Sequence, residues 1–151
     1  MDVRPARAED LPACQVIEVR AGELFRSVDM DALADDEPFT IDQLAAAEVW
    51  VADDGGEVVG YVLTLVLDGV THVEQVSIDP SVAGRGIGRE LLDHLGGPLT
   101  LTTFRDVPWN GPYYERLGFV VVTDPGPELA AKVAEEAWLD LLGPRVAMRR
   151  G

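Results

Sequence analysis

The sequence predicts an α/β (α+β) fold in which a mixed sheet is flanked by helices. Three observations support this fold class. Strand-like and helix-like segments alternate along the chain without an internal repeat or a linker. Three consecutive strand-like segments are joined by short Asp/Gly turns, as in an antiparallel meander. A glycine-rich loop then separates the last of these strands from an amphipathic helix. The length of 151 residues fits one domain, so we predict a single domain over residues 1–151.

The first part of the chain predicts one strand and two helices. Val3–Arg7 has the composition of a short strand, and a helix opens at Asp10 with apolar residues at helical spacing. Residues 27–38 are acidic and irregular. Thr40–Leu44 has the pattern of a capped start, which predicts a second short helix.

The middle of the chain predicts the meander. Val49–Ala52 is a strand, and Asp53–Gly56 is a hairpin turn. Glu57–Leu67 and Val70–Ile78 are rich in β-branched and apolar residues, which favour strands, and Asp68-Gly69 forms the turn between them. The remaining elements are predicted helices at Ile87–Leu95, Pro112–Leu117 and Pro127–Leu142, and strands at Leu99–Phe104, Phe119–Val122 and Val146–Met148.

Composition limits the partners and the location. The formal net charge is -15, so the surface should repel nucleic acids and favour cationic partners. No apolar run reaches the length of a membrane span, and the N-terminus has no signal-peptide pattern. We therefore expect a cytoplasmic protein without a membrane or nucleic-acid partner. Cys14 is the only cysteine, which excludes an internal disulfide or a cluster of thiolate metal ligands.

The glycine loop, defined as Ala83–Gly88, is the most informative segment. Glycine alternates with other residues at positions 84, 86 and 88, directly after a strand and directly before a helix. Such glycines let the backbone approach a ligand, and the free N–H groups and positive dipole end of the helix bind phosphate. Arg85 and Arg89 would add charge-assisted contacts. A glycine-rich turn without a ligand is the alternative interpretation.

Two familiar phosphate motifs do not match the glycine loop. A Walker A loop needs lysine and then Ser or Thr after its last glycine, whereas Arg89 follows Gly88 here. A Rossmann fingerprint needs Gly-x-Gly-x-x-Gly, and its last place is Arg89 or Leu91 in the two possible registers.

Two segments carry a resemblance to the GNAT superfamily of N-acetyltransferases. The glycine loop resembles the family motif Gln/Arg-x-x-Gly-x-Gly/Ala, with Ala83 where Gln or Arg is usual. Asn110–Phe119 resembles the family signature Asn-x-x-aromatic-Tyr-x-x-x-Gly-Phe. The resemblance implies a mostly antiparallel central sheet, acetyl-CoA as co-substrate, and no metal.

The resemblance also implies which residues hold the cofactor. The backbone of the glycine loop would bind the pyrophosphate, and Asn110 would touch the pantetheine arm. The expected cofactor-binding residues are Val76, Ser77, Ile78, Ala83, Gly84, Arg85, Gly86, Ile87, Gly88, Arg89, Asn110 and Tyr114. The backbone of Val76–Ile78 would pair with the pantetheine amides and offer an oxyanion site. Tyr114 would protonate the departing thiolate, whereas Tyr113 is expected to be the tyrosine that packs in the core.

The general base is sought on the strand before the glycine loop. Alternation along Val70–Ile78 places His72, Glu74 and Val76 on one face of the sheet. His72 and Glu74 are the titratable residues there, and the resemblance implies that the base comes from this strand. Glu74 is the first candidate, His72 the second and a water chain the third. Solvated polar residues without a catalytic role are the alternative.

The sequence thus predicts an N-acetyltransferase that moves an acetyl group directly to an amine in a ternary complex. The acceptor is a small-molecule or peptide amine, and the resemblance makes a homodimer possible. A non-catalytic acyl-CoA-binding module for sensing or partner assembly is the alternative function. A nucleotide-dependent enzyme would need an acidic metal-binding motif beside the loop, and the sequence shows none.

Overall fold

The computed structural model describes all residues from Met1 to Gly151. The strands are β1 (Asp2–Pro5), β2 (Glu48–Asp54), β3 (Glu57–Leu67), β4 (Val70–Ile78), β5 (Leu99–Phe104), β6 (Val120–Val121) and β7 (Arg145–Arg150). The α-helices are α1 (Leu11–Gly22), α2 (Asp31–Ala34), α3 (Ile41–Ala45), α4 (Ile87–Leu95), α5 (Gly111–Arg116) and α6 (Pro127–Glu135). Short 3-10 segments occupy Ala8–Asp10, Glu23–Val28, Pro80–Val82 and Ala137–Leu141.

The seven strands form one sheet in the order β1-β2-β3-β4-β5-β7-β6. Strand β2 is antiparallel to β1 and to β3, and β7 is antiparallel to β5 and to β6. Strands β4 and β5 are parallel, with Thr71 opposite Leu99 and Val73 opposite Leu101. The predicted mixed, mostly antiparallel sheet flanked by helices is therefore confirmed, and the meander is its β2-β3-β4 part.

Local sequence determines where most elements end. Strands β3, β4 and β5 and helix α4 have the predicted bounds, and turn residues follow β3 and α4. Asp68 and Gly69 adopt the left-handed region (φ 55° and 73°) between β3 and β4, and Gly96 (φ 62°) ends α4. Helix α3 begins with the predicted cap, in which the Gln43 N–H donates to Thr40 Oγ1 at 3.1 Å.

Three predictions of local structure are wrong in extent. The stretch Pro127–Leu142 is not one helix, because α6 ends at Glu135 and a 3-10 segment follows. The acidic region 27–38, predicted as irregular, contains α2. The strand predicted at Phe119–Val122 is reduced to the two residues of β6, which lie at the edge of the sheet.

The chain divides into two compact units by its internal contacts. The first comprises Met1–Thr64 and Gln75–Gly96, and the second comprises Leu65–Glu74 and Gly97–Gly151. The first unit has an apolar core of Leu11, Cys14, Leu44, Val49, Val51, Tyr61 and Leu63. The buried apolar residues of the second unit include Leu99, Leu101, Phe104, Phe119, Leu129 and Met148. The single domain over residues 1–151 stays a prediction.

No helix combines the length and the apolar character that a membrane span requires.

Candidate functional site

The glycine loop connects the 3-10 turn Pro80–Val82 to α4 and depends on two left-handed glycines. Gly84 has φ 81° and Gly86 has φ 77°, a region that side-chain-bearing residues rarely adopt. A Cβ atom at either position would meet nothing within 4 Å. Glycine is therefore needed for the backbone conformation rather than for space, and the open surroundings leave the loop accessible.

The start of α4 presents free backbone donors. Gly86 is the N-cap residue, and no side chain caps the helix. The first intrahelical bond runs from the Glu90 N–H to the Gly86 carbonyl at 3.1 Å, so the N–H groups before Glu90 have no partner within the helix. Four unpaired N–H groups and the positive dipole end make this turn suitable for a phosphate. Arg85 and Arg89 are exposed, and Arg85 Nη2 lies 3.3 Å from Asp54.

Gly60, which sequence reasoning missed, makes room for the end of β4. A Cβ atom at Gly60 would lie 2.9 Å from Ile78 Cδ1, 3.2 Å from the Ser77 carbonyl oxygen and 3.3 Å from Ile87 Cγ2. Glycine therefore lets β3 approach both the strand and the helix that flank the glycine loop. A lone glycine inside a β-branched strand was the signal for such a close approach.

The predicted residues of β4 differ in burial. Val76 and Ile78 are half-buried, and Ser77 is buried with its hydroxyl accepting a hydrogen bond from Gln75 Nε2 at 2.8 Å. The three residues lead through Asp79 to the glycine loop within the first unit. The Ser81 N–H donates to Asp79 Oδ1 at 2.9 Å, and this bond lowers the pKa of the Asp79 carboxyl.

His72 and Glu74 lie together in the second unit, and one atom of each is buried without a hydrogen-bond partner. His72 is 1% exposed, and its Nδ1 atom is 2.9 Å from Thr100 Oγ1. His72 Nε2 and Glu74 Oε2 are the two unpartnered atoms, and they are 3.7 Å apart, too far for a hydrogen bond. Burial, with a smaller effect from Lys132, lowers the pKa of His72 to about 4, so the ring is neutral at pH 7.

Lys132 of α6 completes this group, which we call the Glu74 cluster (His72, Glu74, Thr100 and Lys132). Lys132 Nζ donates to Glu74 Oε1 at 2.7 Å, and both side chains are mostly buried. Sequence reasoning missed Lys132, which lies 58 residues from Glu74. Its one available signal was that all the other basic residues of the chain are arginine.

Helix α5 carries Asn110 at its N-cap and Tyr114 one turn later. The Tyr114 N–H donates to the Asn110 carbonyl at 3.0 Å. Tyr114 is 8% exposed and packs edge-on against Phe119, whereas Tyr113 is only half-buried. The expectation that Tyr113 is the packing tyrosine is therefore wrong. Burial raises the pKa of the Tyr114 phenol, so this hydroxyl keeps its proton at neutral pH.

The acidic region before α3 is partly neutralised. Arg26 pairs with Glu23 at 2.9 Å and with Asp35 at 2.5 Å.

No cluster of His, Cys, Asp and Glu side chains has the arrangement of a metal site.

The chain is similar to known acetyltransferases. A family model described as an acetyltransferase (GNAT) domain matches residues 45–121, which include β4, the glycine loop and Tyr114. An amino-acid acetyltransferase of Mycobacterium tuberculosis is 28% identical over 142 residues, which cover 89% of this chain and 75% of that protein.

Solved structures share the fold at low sequence identity. A Mycobacterium tuberculosis protein in complex with CoA and NLQ is 22% identical, with a TM-score of 0.69 over 99% of this chain and 98% of the other. The ribosomal-protein-S18-alanine N-acetyltransferase of Escherichia coli is 20% identical, with a TM-score of 0.66 over 99% of this chain and 92% of the other. At these identities the likeness concerns the fold alone.

Proposed function

Because the chain belongs to the GNAT acetyltransferase family, which acts with CoA, we propose that it transfers the acetyl group of acetyl-CoA directly to an amine in a ternary complex. The observation that carries the proposal is the uncapped start of α4 behind two left-handed glycines, which lies within the matched residues. Acetyl-CoA supplies an activated thioester. The chain binds acetyl-CoA and supplies a general base and a general acid.

The residues present fit a CoA group. The free N–H groups at the start of α4 suit its pyrophosphate, and the missing side chains at Gly84 and Gly86 leave the approach open. The half-buried Val76 and Ile78 would pair with the pantetheine amides through their backbone. Asn110, whose side chain does not cap α5, would touch the same arm. Ala83 lacks the usual Gln or Arg, so binding rests on backbone donors.

Glu74 is our proposed general base, and His72 assists it. An attacking amine must lose a proton, and Glu74 Oε2 and His72 Nε2 are buried and lack partners. A nitrogen that donates to both atoms would satisfy them, since their separation is 3.7 Å. Tyr114 is the proposed acid, because its protonated phenol can donate to the departing thiolate.

The acceptor is proposed to be an amine of a small molecule or a peptide. The name of the Mycobacterium tuberculosis relative makes free amino acids the first class to screen. The name of the Escherichia coli enzyme makes a peptide beginning with alanine the second class. The net charge of -15 favours, within either class, acceptors whose side chain is neutral or cationic.

A thermal-shift titration with acetyl-CoA, CoA, ATP and NAD tests the cofactor. A ligand at a hundred times its dissociation constant stabilises the folded chain by about 2.7 kcal/mol, which should raise Tm by about 5–10 °C. We expect this shift with acetyl-CoA and CoA alone, followed by thiol release when the amine panel is added. No shift with either CoA compound would refute the proposal.

A non-catalytic acyl-CoA-binding module is the rival function, favoured by Ala83 in place of Gln or Arg. Tyr114→Phe separates the two, with Tyr113→Phe as the matched control on the same helix. An enzyme that uses the phenol should slow by about 10²-fold or more in Tyr114→Phe, while acetyl-CoA still raises its Tm. Binding without any turnover of the amine panel by the wild-type chain would support the module instead.

A further inference from the structure

The only lysine of the chain lies against the proposed base. Lys132 Nζ is 2.7 Å from Glu74 Oε1, and its side chain is 14% exposed. Lysine and arginine together number 12 in the chain, and all of them except Lys132 are arginine. The one primary amine carried by a side chain is therefore held beside the group that would deprotonate an acceptor.

Both ends of α6 are anchored, so the contact is built into the second unit. At the first end, Asp68 accepts hydrogen bonds from the N–H groups of Glu128 at 2.8 Å and Leu129 at 3.0 Å. At the other end, Glu136 accepts a hydrogen bond from Thr102 Oγ1 at 2.6 Å and lies 3.3 Å from Arg145 Nη2. Lys132 lies between these anchors and is not a mobile surface lysine.

Stability alone gives no reason for lysine at this position. A largely buried ion pair adds little net stability, and arginine makes the stronger, bidentate pair with a carboxylate. Lysine has one chemical property that arginine lacks here: its ammonium can lose a proton to a neighbouring base and become a nucleophile. Glu74 holds Lys132 through Oε1 alone, and its second oxygen, Oε2, is buried without a hydrogen-bond partner.

We propose that Lys132 is an internal acetyl acceptor, so that the chain acetylates itself at this residue. The proposal rests on the proposed function. Glu74 takes one proton from the Lys132 ammonium, and the neutral Nζ attacks the thioester carbonyl carbon of acetyl-CoA. An N–C bond forms and the C–S bond breaks. CoA leaves as the thiolate and takes up the second proton, which the attacking nitrogen gives up, and Lys132 becomes a neutral Nε-acetyl-lysine. Acetylation removes the positive charge that pairs with Glu74, so the modification changes the site that made it.

Isotope-labelled acetyl-CoA and intact-mass spectrometry test this proposal. The folded chain should gain the mass of one labelled acetyl group, and peptide mapping should place it on Lys132 rather than on the Met1 amine. Lys132→Arg keeps a cation beside Glu74 but has no side-chain amine that can be acetylated. This variant should therefore gain no label, except for any that reaches the Met1 amine. Glu74→Gln should lose most of the label while acetyl-CoA still raises its Tm. The heat-unfolded chain measures the uncatalysed background.

The outcomes distinguish this proposal from the proposed function. Thiol release with external amines but no label on Lys132 would overturn self-acetylation and leave the acetyltransferase assignment intact. Equal labelling of the folded and unfolded chains would also overturn it, because the reaction would then owe nothing to the cluster. Absence of a thermal shift with acetyl-CoA would instead remove the proposed function and self-acetylation together.

Discussion

The glycine loop, in the first unit, and the Glu74 cluster, in the second, are opposite kinds of surface. Residues 83–86 of the loop are exposed and offer backbone N–H groups in a conformation set by glycines. The cluster is mostly buried and offers side-chain atoms, two of which lack hydrogen-bond partners. The loop should therefore tolerate changes of side chain but not of backbone dihedral angles. The cluster should respond to single-atom changes that leave the backbone unchanged.

The largest effect is expected from Glu74→Gln. The glutamine carbonyl oxygen can still accept a hydrogen bond from Lys132 Nζ, but the amide cannot take up a proton. The acetyl-transfer rate should fall by about 10²–10⁴-fold, with the acetyl-CoA-induced rise in Tm retained. Steady-state kinetics with an accepted amine measure the rate, and Glu57→Gln, an exposed change at the start of β3, is the control. A rate equal to that of the control would assign the base to His72 or to a water chain.

The second prediction concerns pH and tests how deeply the cluster is buried. The pKa of His72 is about 4 in the folded chain and about 6.5 when unfolded. The unfolded chain therefore binds the proton more tightly, so stability that is present above pH 6.5 is lost as pH falls towards 4. The lowered pKa corresponds to about 3 kcal/mol of unfolding free energy.

Urea unfolding of the wild type and His72→Asn at a series of pH values isolates this contribution. The carboxylates titrate in both proteins and cancel in the comparison. The wild type should lose about 3 kcal/mol more than the variant between pH 7 and pH 4. Parallel curves would mean that the imidazole is accessible to solvent in the folded chain.

The smallest effect is expected from Gly86→Ala in the glycine loop. Alanine at φ 77° is strained by about 1–2 kcal/mol, and the loop can relieve this strain by turning its N–H groups away from the ligand. Acetyl-CoA affinity, measured by calorimetry, should fall by about tenfold. Gly56→Ala, in the β2–β3 turn at φ 98°, carries similar strain with equally open surroundings. Equal affinities in the two variants would show that the loop conformation does not govern binding.

The same contrast explains what the sequence could predict. The glycine loop, β4 and α4 were predictable because their determinants are contiguous residues. Lys132 was not, because it lies 58 positions after Glu74 and meets it only in the folded chain. Local sequence patterns also could not predict that Tyr114, rather than Tyr113, is the buried tyrosine. Helix α5 starts at Gly111, where a Cβ atom would be 2.5 Å from the Arg105 carbonyl oxygen, a tertiary contact that local patterns do not reveal.

The cap on α6 has a consequence for how the chain folds. Helix α6 has nine residues, fewer than the roughly 12–15 that an isolated helix needs in water. Its first N–H groups are satisfied by Asp68, 60 residues earlier in the turn between β3 and β4. The helix therefore has to wait for that hairpin during folding, and the closure of a long loop precedes its first stable turn. The contact between Lys132 and Glu74 therefore depends on a cap that lies outside the helix.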